Sequence, residues 1–182
     1  RIIIMRFIII NSDFNPETLN FDTIDIINKT DISSLPKLEY NTRMEPGLKP
    51  SKFIGIGLNF KDHAEEQNLP IPKEPIIFSK FTSCITGPND PIIVPKGSNH
   101  TDWEVELGFV IGKKAINVSI DQALDHILGF FLVNDVSERN FQKNKGLTWD
   151  KGKGFDTFGP IGPYIVTKDE LPDFQKLSMS LD

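Results

Sequence analysis

The stretch Asp102-Trp103-Glu104-Val105-Glu106-Leu107-Gly108-Phe109-Val110-Ile111 alternates along its length. Side chains of a strand point to opposite faces in turn, so Trp103, Val105, Leu107, Phe109 and Ile111 share one face and Glu104, Glu106 and Gly108 the other. Two carboxylates then leave the same side, about 6.5–7 Å apart along the strand. If they are shielded from water they repel unless a cation lies between them. If that face is wet, this is an ordinary surface strand with its polar side in solvent.

Outward from this stretch, further short apolar runs recur between Pro and Gly punctuation, at 53–58, 76–79, 92–94, 130–136 and 164–166. Helix signals are fewer. Ser119-Ile120-Asp121-Gln122 reads as a capping box, with Ile120, Ala123, Leu124 and Ile127 on one face until Gly129 stops the helix; a second helical piece covers about 60–67. Strands outnumbering helices without regular alternation predict an α+β fold around a mixed or antiparallel sheet. The apolar run 2–10 reads as a buried strand, and 41–51, with two prolines and a glycine, as a linker or crossing loop. The expected organisation is a small N-terminal region with linker, 1–48, and a main domain, 49–182.

Composition removes several function classes. The 182 residues carry 20 Lys+Arg against 25 Asp+Glu, a formal charge of -5, so the basic footprint that nucleic acid requires is missing. The run 2–10 is interrupted by Arg6 and falls far short of the roughly 20 residues that span a bilayer, so no membrane partner is expected. A single cysteine, Cys84, excludes an internal disulfide or a cysteine-based zinc cluster and favours a reducing, intracellular setting, cytoplasmic or organellar. Any metal must then use oxygen or histidine. Nucleotide motifs fail on spacing. Phe60 stands where the third glycine after Gly55 and Gly57 belongs, and Pro160-Ile161 follows Gly159 where a phosphate loop needs Lys-Ser/Thr. His100, His126 and Cys84 have no partner at convincing spacing and read as structural.

Three groups of residues could carry chemistry. Asp135 lies near the end of the apolar run 130–136, and a buried carboxylate needs a partner. With Glu104 and Glu106 it forms an all-oxygen set of the kind that suits Mg²⁺ or Mn²⁺, unless it simply caps a helix starting near Ser137. His63 and Glu66, three apart, share a face of the predicted helix, either as a water-activating pair or as a solvated surface pair. Lys143, Lys145, Lys151 and Lys153 make 142–155 locally cationic, which reads as a solvated loop or as the source of an ammonium for a developing oxyanion.

Together these motifs resemble the fumarylacetoacetate hydrolase family, in its acylpyruvate hydrolase and ureidoglycolate lyase-like branch. The resemblance rests on Gly57-Leu58-Asn59-Phe60-Lys61-Asp62-His63-Ala64-Glu65-Glu66, Pro75-Ile76-Ile77-Phe78-Ser79-Lys80, Trp103-Glu104-Val105-Glu106-Leu107, the segment 129–139, and Lys153-Gly154-Phe155-Asp156-Thr157-Phe158-Gly159-Pro160. They stand in family order from about 49 to 169.

The resemblance implies a mixed β-sheet roll, strand-rich with a few short helices, forming a homodimer around a divalent metal. It implies that Glu104, Glu106 and Asp135 are the metal ligands, that His63 and Glu66 activate water, that Lys153 stabilises negative charge, and that Arg139 and Gln142 orient the substrate. The implied reaction is metal-dependent hydrolysis of a C–C bond in an acylpyruvate-type dicarbonyl acid through an enolate, with decarboxylation, isomerisation or lyase chemistry on a related 2-oxo or ureido acid as the alternative. Phe60 replaces a usual tyrosine and Gly154 a common serine. The sequence ends at Asp182, before the Asn-Gly turn and Gly-Thr-Pro loop of relatives. This predicts a C-terminally truncated domain and raises the rival reading of an inactive fragment or subunit.

Overall fold

The computed structural model describes Phe7–Ile8, Leu48, 50–146, 148–171 and 173–181. Along the chain run β1 (Phe7–Ile8), β2 (Phe53–Gly57), α1 (Lys61–Glu66), β3 (Ile76–Lys80), β4 (Ile85–Thr86), β5 (Thr101–Asp102) and β6 (Val105–Ile111). They are followed by α2 (Ile120–Ala123), β7 (Ile127–Asn134), β8 (Ser137–Glu138), α3 (Arg139–Asn144), α4 (Asp150–Lys153) and β9 (Gly159–Thr167). This is the expected α+β class. Of the run 2–10, only Phe7–Ile8 is described, paired antiparallel with β9; the rest of that run, and most of the expected linker at 41–51, lie outside the described residues.

A five-stranded mixed sheet carries the acidic stretch. Its path runs β1-β9-β7-β6, with β4 joining β9 in parallel. In the β6–β7 ladder Val105 faces Asn134 and Phe109 faces Phe130. Gly129 lets β7 meet β9 closely, since a Cβ there would stand 2.5 Å from the Val166 carbonyl oxygen. Between Phe130 and Leu132 the β7–β9 register shifts. Pro163 lies opposite that interval and has no N–H for a ladder. Two small ribbons, β2–β3 and β5–β8, complete the sheets.

Three sequence expectations change. The run 92–94 forms no strand; it is flanked by Pro91 and Pro95, which have no N–H of their own, and the Ile93 N–H goes to the Thr157 hydroxyl instead of a ladder. The helix expected up to Gly129 stops early. α2 is one turn followed by a 3₁₀ turn at Leu124–His126, because Ile127 already pairs with Ile111 in the sheet. The Ser119 hydroxyl bonds the Gln122 side chain instead of a backbone N–H, and Ile120 is 96% exposed. The apolar face of β6 also stays open, with Phe109 and Ile111 exposed and Trp103 exposed just before the strand. The interior gathers instead around charge. Cys84, Val136 and Phe158 pack with Phe53 and Phe155, while Lys80, Asp135, Glu138, Gln142 and Lys153 are buried among the polar residues.

Candidate active site

A cleft of about 320 Å³ opens where the β2–β3 ribbon and α1 face the ends of β6 and β7 and the helices α3 and α4. Its walls include Asn59, His63, Asp102, Glu104, Glu106, Asp135, Arg139, Gln142, Trp149 and Lys153. The acid-bearing strand breaks in register just before this cleft. Glu104 falls between β5 and β6, yet its carbonyl accepts from the Asp135 N–H at 2.8 Å, and its own N–H donates to Asn134 Oδ1 at 3.2 Å. The two acidic ends are thereby tied together at the mouth of the sheet.

Asp135 is buried and ionised. Its Oδ1 accepts from Lys80 Nζ and its Oδ2 from Lys153 Nζ, each at 2.6 Å. Burial alone would raise its pKa, but the two ammonium groups overcome that and hold it below the ordinary value. It therefore does not cap the following helix; Glu138 does, accepting from the Asn140 N–H at 3.1 Å.

Lys80 was not singled out from sequence, although the alternation in β3 places it inward with Phe78. Its three protons go to Asp135, to the Val136 carbonyl at 3.3 Å and to the Lys153 carbonyl at 2.6 Å. Burial lowers its pKa, and Asp135 opposes that shift.

Lys153 rides on α4, not on a solvated loop. Gly152 makes that position possible, since a Cβ there would stand 2.6 Å from both the Gln142 backbone nitrogen and the Glu138 carbonyl oxygen. Asp150 Oδ1 accepts the Ser79 N–H at 2.9 Å and ties the same helix to β3. The Lys153 ammonium, 2% exposed, bridges Glu104 Oε2 and Asp135 Oδ2 at 2.6 Å each, 5.1 Å from the centre of the Phe78 ring. The neighbouring Lys151 is exposed and bonds the Lys145 carbonyl.

Glu106 lies in a different field. Among the described residues its one hydrogen bond is from Asn59 Nδ2 at 3.0 Å. Burial raises its pKa to about 7; the Asn59 bond opposes this, and the nearby Glu104 and Asp135 carboxylates add to the rise. Three cations, Lys80, Lys153 and Arg139, pair with Asp102, Glu104 and Asp135, and none pairs with Glu106.

Arg139, at the start of α3, donates through Nε and Nη2 to Asp102 Oδ2 at 2.9 and 2.7 Å and through Nη1 to Gln142 Oε1 at 3.1 Å, and it also pairs with Glu104. Gln142 is buried behind it. Glu138, fully buried, accepts from Ser98, from Thr101 and from the His100 N–H, which anchors the segment leading to Asp102.

Of the sequence-predicted residues, the cleft gathers His63, Glu104, Glu106, Asp135, Arg139, Gln142 and Lys153. Glu66 is exposed on α1, is absent from the cleft wall and makes no hydrogen bond to His63. Lys80, Asn59, Asp102 and Glu138 were missed. As arranged, no group of three or more His, Cys, Asp or Glu side chains among the described residues is placed to hold a metal ion.

Residues 52–182 match the C-terminal domain of fumarylacetoacetate hydrolase. The chain belongs to the fumarylacetoacetate hydrolase family. Every cleft residue discussed above falls inside the matched segment. A Burkholderia cenocepacia protein named "putative hydrolase" is 62% identical over 131 residues, which cover 72% of this chain and 46% of that protein. The chain thus spans about half the length of such relatives. Among solved structures, 5-carboxymethyl-2-hydroxymuconate delta-isomerase from Mycobacterium smegmatis is 42% identical with a TM-score of 0.62, covering 69% of this chain and 49% of the isomerase. Fumarylacetoacetate hydrolase from Exiguobacterium antarcticum is 31% identical with a TM-score of 0.70, covering 82% of this chain and 55% of the hydrolase. The family thus includes both hydrolases and isomerases.

Proposed function

We propose that this chain carries the metal-dependent centre of an enzyme that cleaves a C–C bond in acylpyruvate-type dicarbonyl acids. The observation that carries this reading is the convergence of Glu104, Glu106, Asp135, Lys153, Arg139 and His63 on one cleft. In its chemistry the donor set suits Mg²⁺ or Mn²⁺, although no three of its carboxylates are placed to hold an ion as they stand. It is all oxygen, Glu106 pairs with no cation among the described residues, and the oxygens that face Lys80, Lys153 and Arg139 retain further lone pairs. Held by Glu104, Glu106 and Asp135, such an ion would supply Lewis-acid stabilisation of the negative charge that develops on bond cleavage.

The chain's own residues supply the rest. The Lys153 ammonium stands where an oxyanion beside Glu104 and Asp135 would gain a hydrogen bond in a partly dry site. Arg139, backed by Gln142, faces the acid group of the substrate. His63, half-buried on the cleft wall, takes a proton from water and directs the resulting hydroxide to the distal carbonyl carbon, whose C–C bond then breaks with its electron pair leaving as the enolate.

Isomerisation of a related acid is the second reading, favoured by the higher identity to the delta-isomerase than to the hydrolase. Product analysis separates them, because hydrolysis releases pyruvate while isomerisation conserves mass. The exposed apolar residues Trp103, Phe109 and Ile111 support a homodimer whose partner covers them. No helix among the described residues is long and apolar enough to cross a membrane.

The test is water-proton relaxation of Mn²⁺ with and without oxalate. Saturable binding that oxalate tightens and Glu106→Ala abolishes is expected; a folded chain that binds no Mn²⁺ overturns the reading.

A further inference from the structure

Arg139 is heavily committed. Of its five N–H groups, Nε and Nη2 serve Asp102 and Glu104, and one Nη1 proton serves Gln142. Little of the guanidinium is left for a ligand while Asp102 stays in place.

The hold of Asp102 is of a replaceable kind. Both of its bonds to Arg139 end on the same oxygen, Oδ2, because Oδ1 accepts the Trp103 N–H at 3.0 Å. A side-on carboxylate offers one oxygen to each N–H, and that fork-to-fork geometry is the strong one. Asp102 does not adopt it, since its Oδ1 is turned to the Trp103 N–H and not to the guanidinium. The Asp102 side chain is also 44% exposed against 25% for Arg139, so it is the wetter partner and water competes for it. Glu104, the other anion on Arg139, is 16% exposed and shared with Lys153, and therefore is the harder one to release.

We infer that Asp102 is a displaceable internal counter-ion, and that the carboxylate of an incoming acid takes its place on the Arg139 Nε and Nη2. Asp102 is then a specificity-determining residue. A carboxylate ligand can restore both the charge and the hydrogen bonds of Arg139, while a neutral ketone of the same shape restores neither and leaves Asp102 where it is. The exchange keeps Arg139 paired at every stage, so an ionised guanidinium is never left unpaired in the cleft. The Glu138 anchor on 98–101 keeps the backbone of the departing aspartate in place, so that the side chain moves without the strand. The inference rests on the reading of the cleft as an acid-binding site but needs no metal.

The experiment titrates the metal-free chain with pyruvate and, separately, with acetone, following the Arg139 Nε–H resonance by NMR in the native chain, Asp102→Asn and Asp102→Ala. Removing the competing charge is expected to tighten pyruvate binding roughly 1.5- to fivefold, the range set by a partly exposed ion pair, with acetone unchanged. The Arg139 signal should move with pyruvate and not with acetone. Unchanged or weaker pyruvate binding in both variants overturns the inference, because a residue that only positions Arg139 gives the opposite sign. Pyruvate binding that leaves the Nε–H signal unmoved, or no pyruvate binding by any form, overturns it as well. Failure of the enzymatic reading is recognised separately, by the Mn²⁺ relaxation experiment.

Discussion

The Lys80 ammonium donates to the main-chain oxygen of Lys153 at 2.6 Å, so one lysine fixes the backbone from which the other reaches Glu104 and Asp135. Lys80 thus holds the site from beneath while Lys153 faces the cleft. Replacing Lys80 by Met leaves Asp135 with one cation fewer and the Lys153 carbonyl unpaired in a buried place. Breaking a buried ion pair in this way costs about 3–5 kcal/mol. Urea unfolding of Lys80→Met should show a loss of that order, and a loss under about 1 kcal/mol would mean that the contact contributes little.

The metal-free chain should lose stability as pH rises. The Glu106 carboxyl has an ordinary pKa of 4.5 and a folded value raised to about 7 by burial. Below 4.5 it is neutral in both folded and unfolded states. Between these values the folded state holds a proton that the unfolded state has lost, so stability falls through that window and the penalty is complete above it. Asp135 acts oppositely. Its depressed value contributes stability above 3.8 that disappears as pH falls through the folded value. Urea midpoints measured across this range should therefore peak on the acid side of neutrality, and Glu106→Gln should flatten the alkaline slope. Mn²⁺ affinity should rise with pH over the same window, since the ion must displace the Glu106 proton.

His63 and Glu66 should separate on mutation. His63 lines the cleft, so His63→Ala is expected to reduce turnover by roughly 10²–10⁴-fold while sparing Mn²⁺ binding. Glu66 is exposed and makes no bond to His63, so Glu66→Gln should change activity much less than His63→Ala. Steady-state kinetics of the two variants, with relaxation as the control, distinguishes these cases.

Gly152→Ala places a methyl 2.6 Å from the Gln142 nitrogen and from the Glu138 oxygen. Both are backbone atoms that cannot swing aside, so α4 must retreat from α3. A loss of about 1–3 kcal/mol is expected from such overpacking, together with a fall in kcat because Lys153 is carried on the next residue. Unchanged thermal unfolding would count against the close approach of the two helices.

Much of the site was legible because its residues sit in short motifs with their own local logic. Glu104 and Glu106 stand two apart in an alternating stretch, which predicts that they leave on the same side even though Glu104 falls just before β6, and a carboxylate in the apolar run at Asp135 asks for a counter-charge. Period alone did not say which face of 103–111 is wet. It is the apolar one at Phe109 and Ile111, since the polar face turns to the cleft. The partners of Asp135 were invisible for another reason. Lys80 and Lys153 lie 55 and 18 residues away in sequence, and only the packing of β3 and α4 brings them together. The α2 signal misled because a good local cap competes poorly with two strands that both pair β7.

The six residues of α1 carry His63 but bury a single side chain, Ala64, whereas Glu106 lies in the ladder that pairs β7 on both edges and Asp135 directly follows β7, its N–H bonded to the Glu104 carbonyl. Local opening free energies therefore differ across the cleft, low on the histidine side and near global on the carboxylate side. Backbone amides of α1 should exchange with solvent well before those of β7, so the cleft can admit and release its contents by melting one short helix while the acidic residues keep their arrangement.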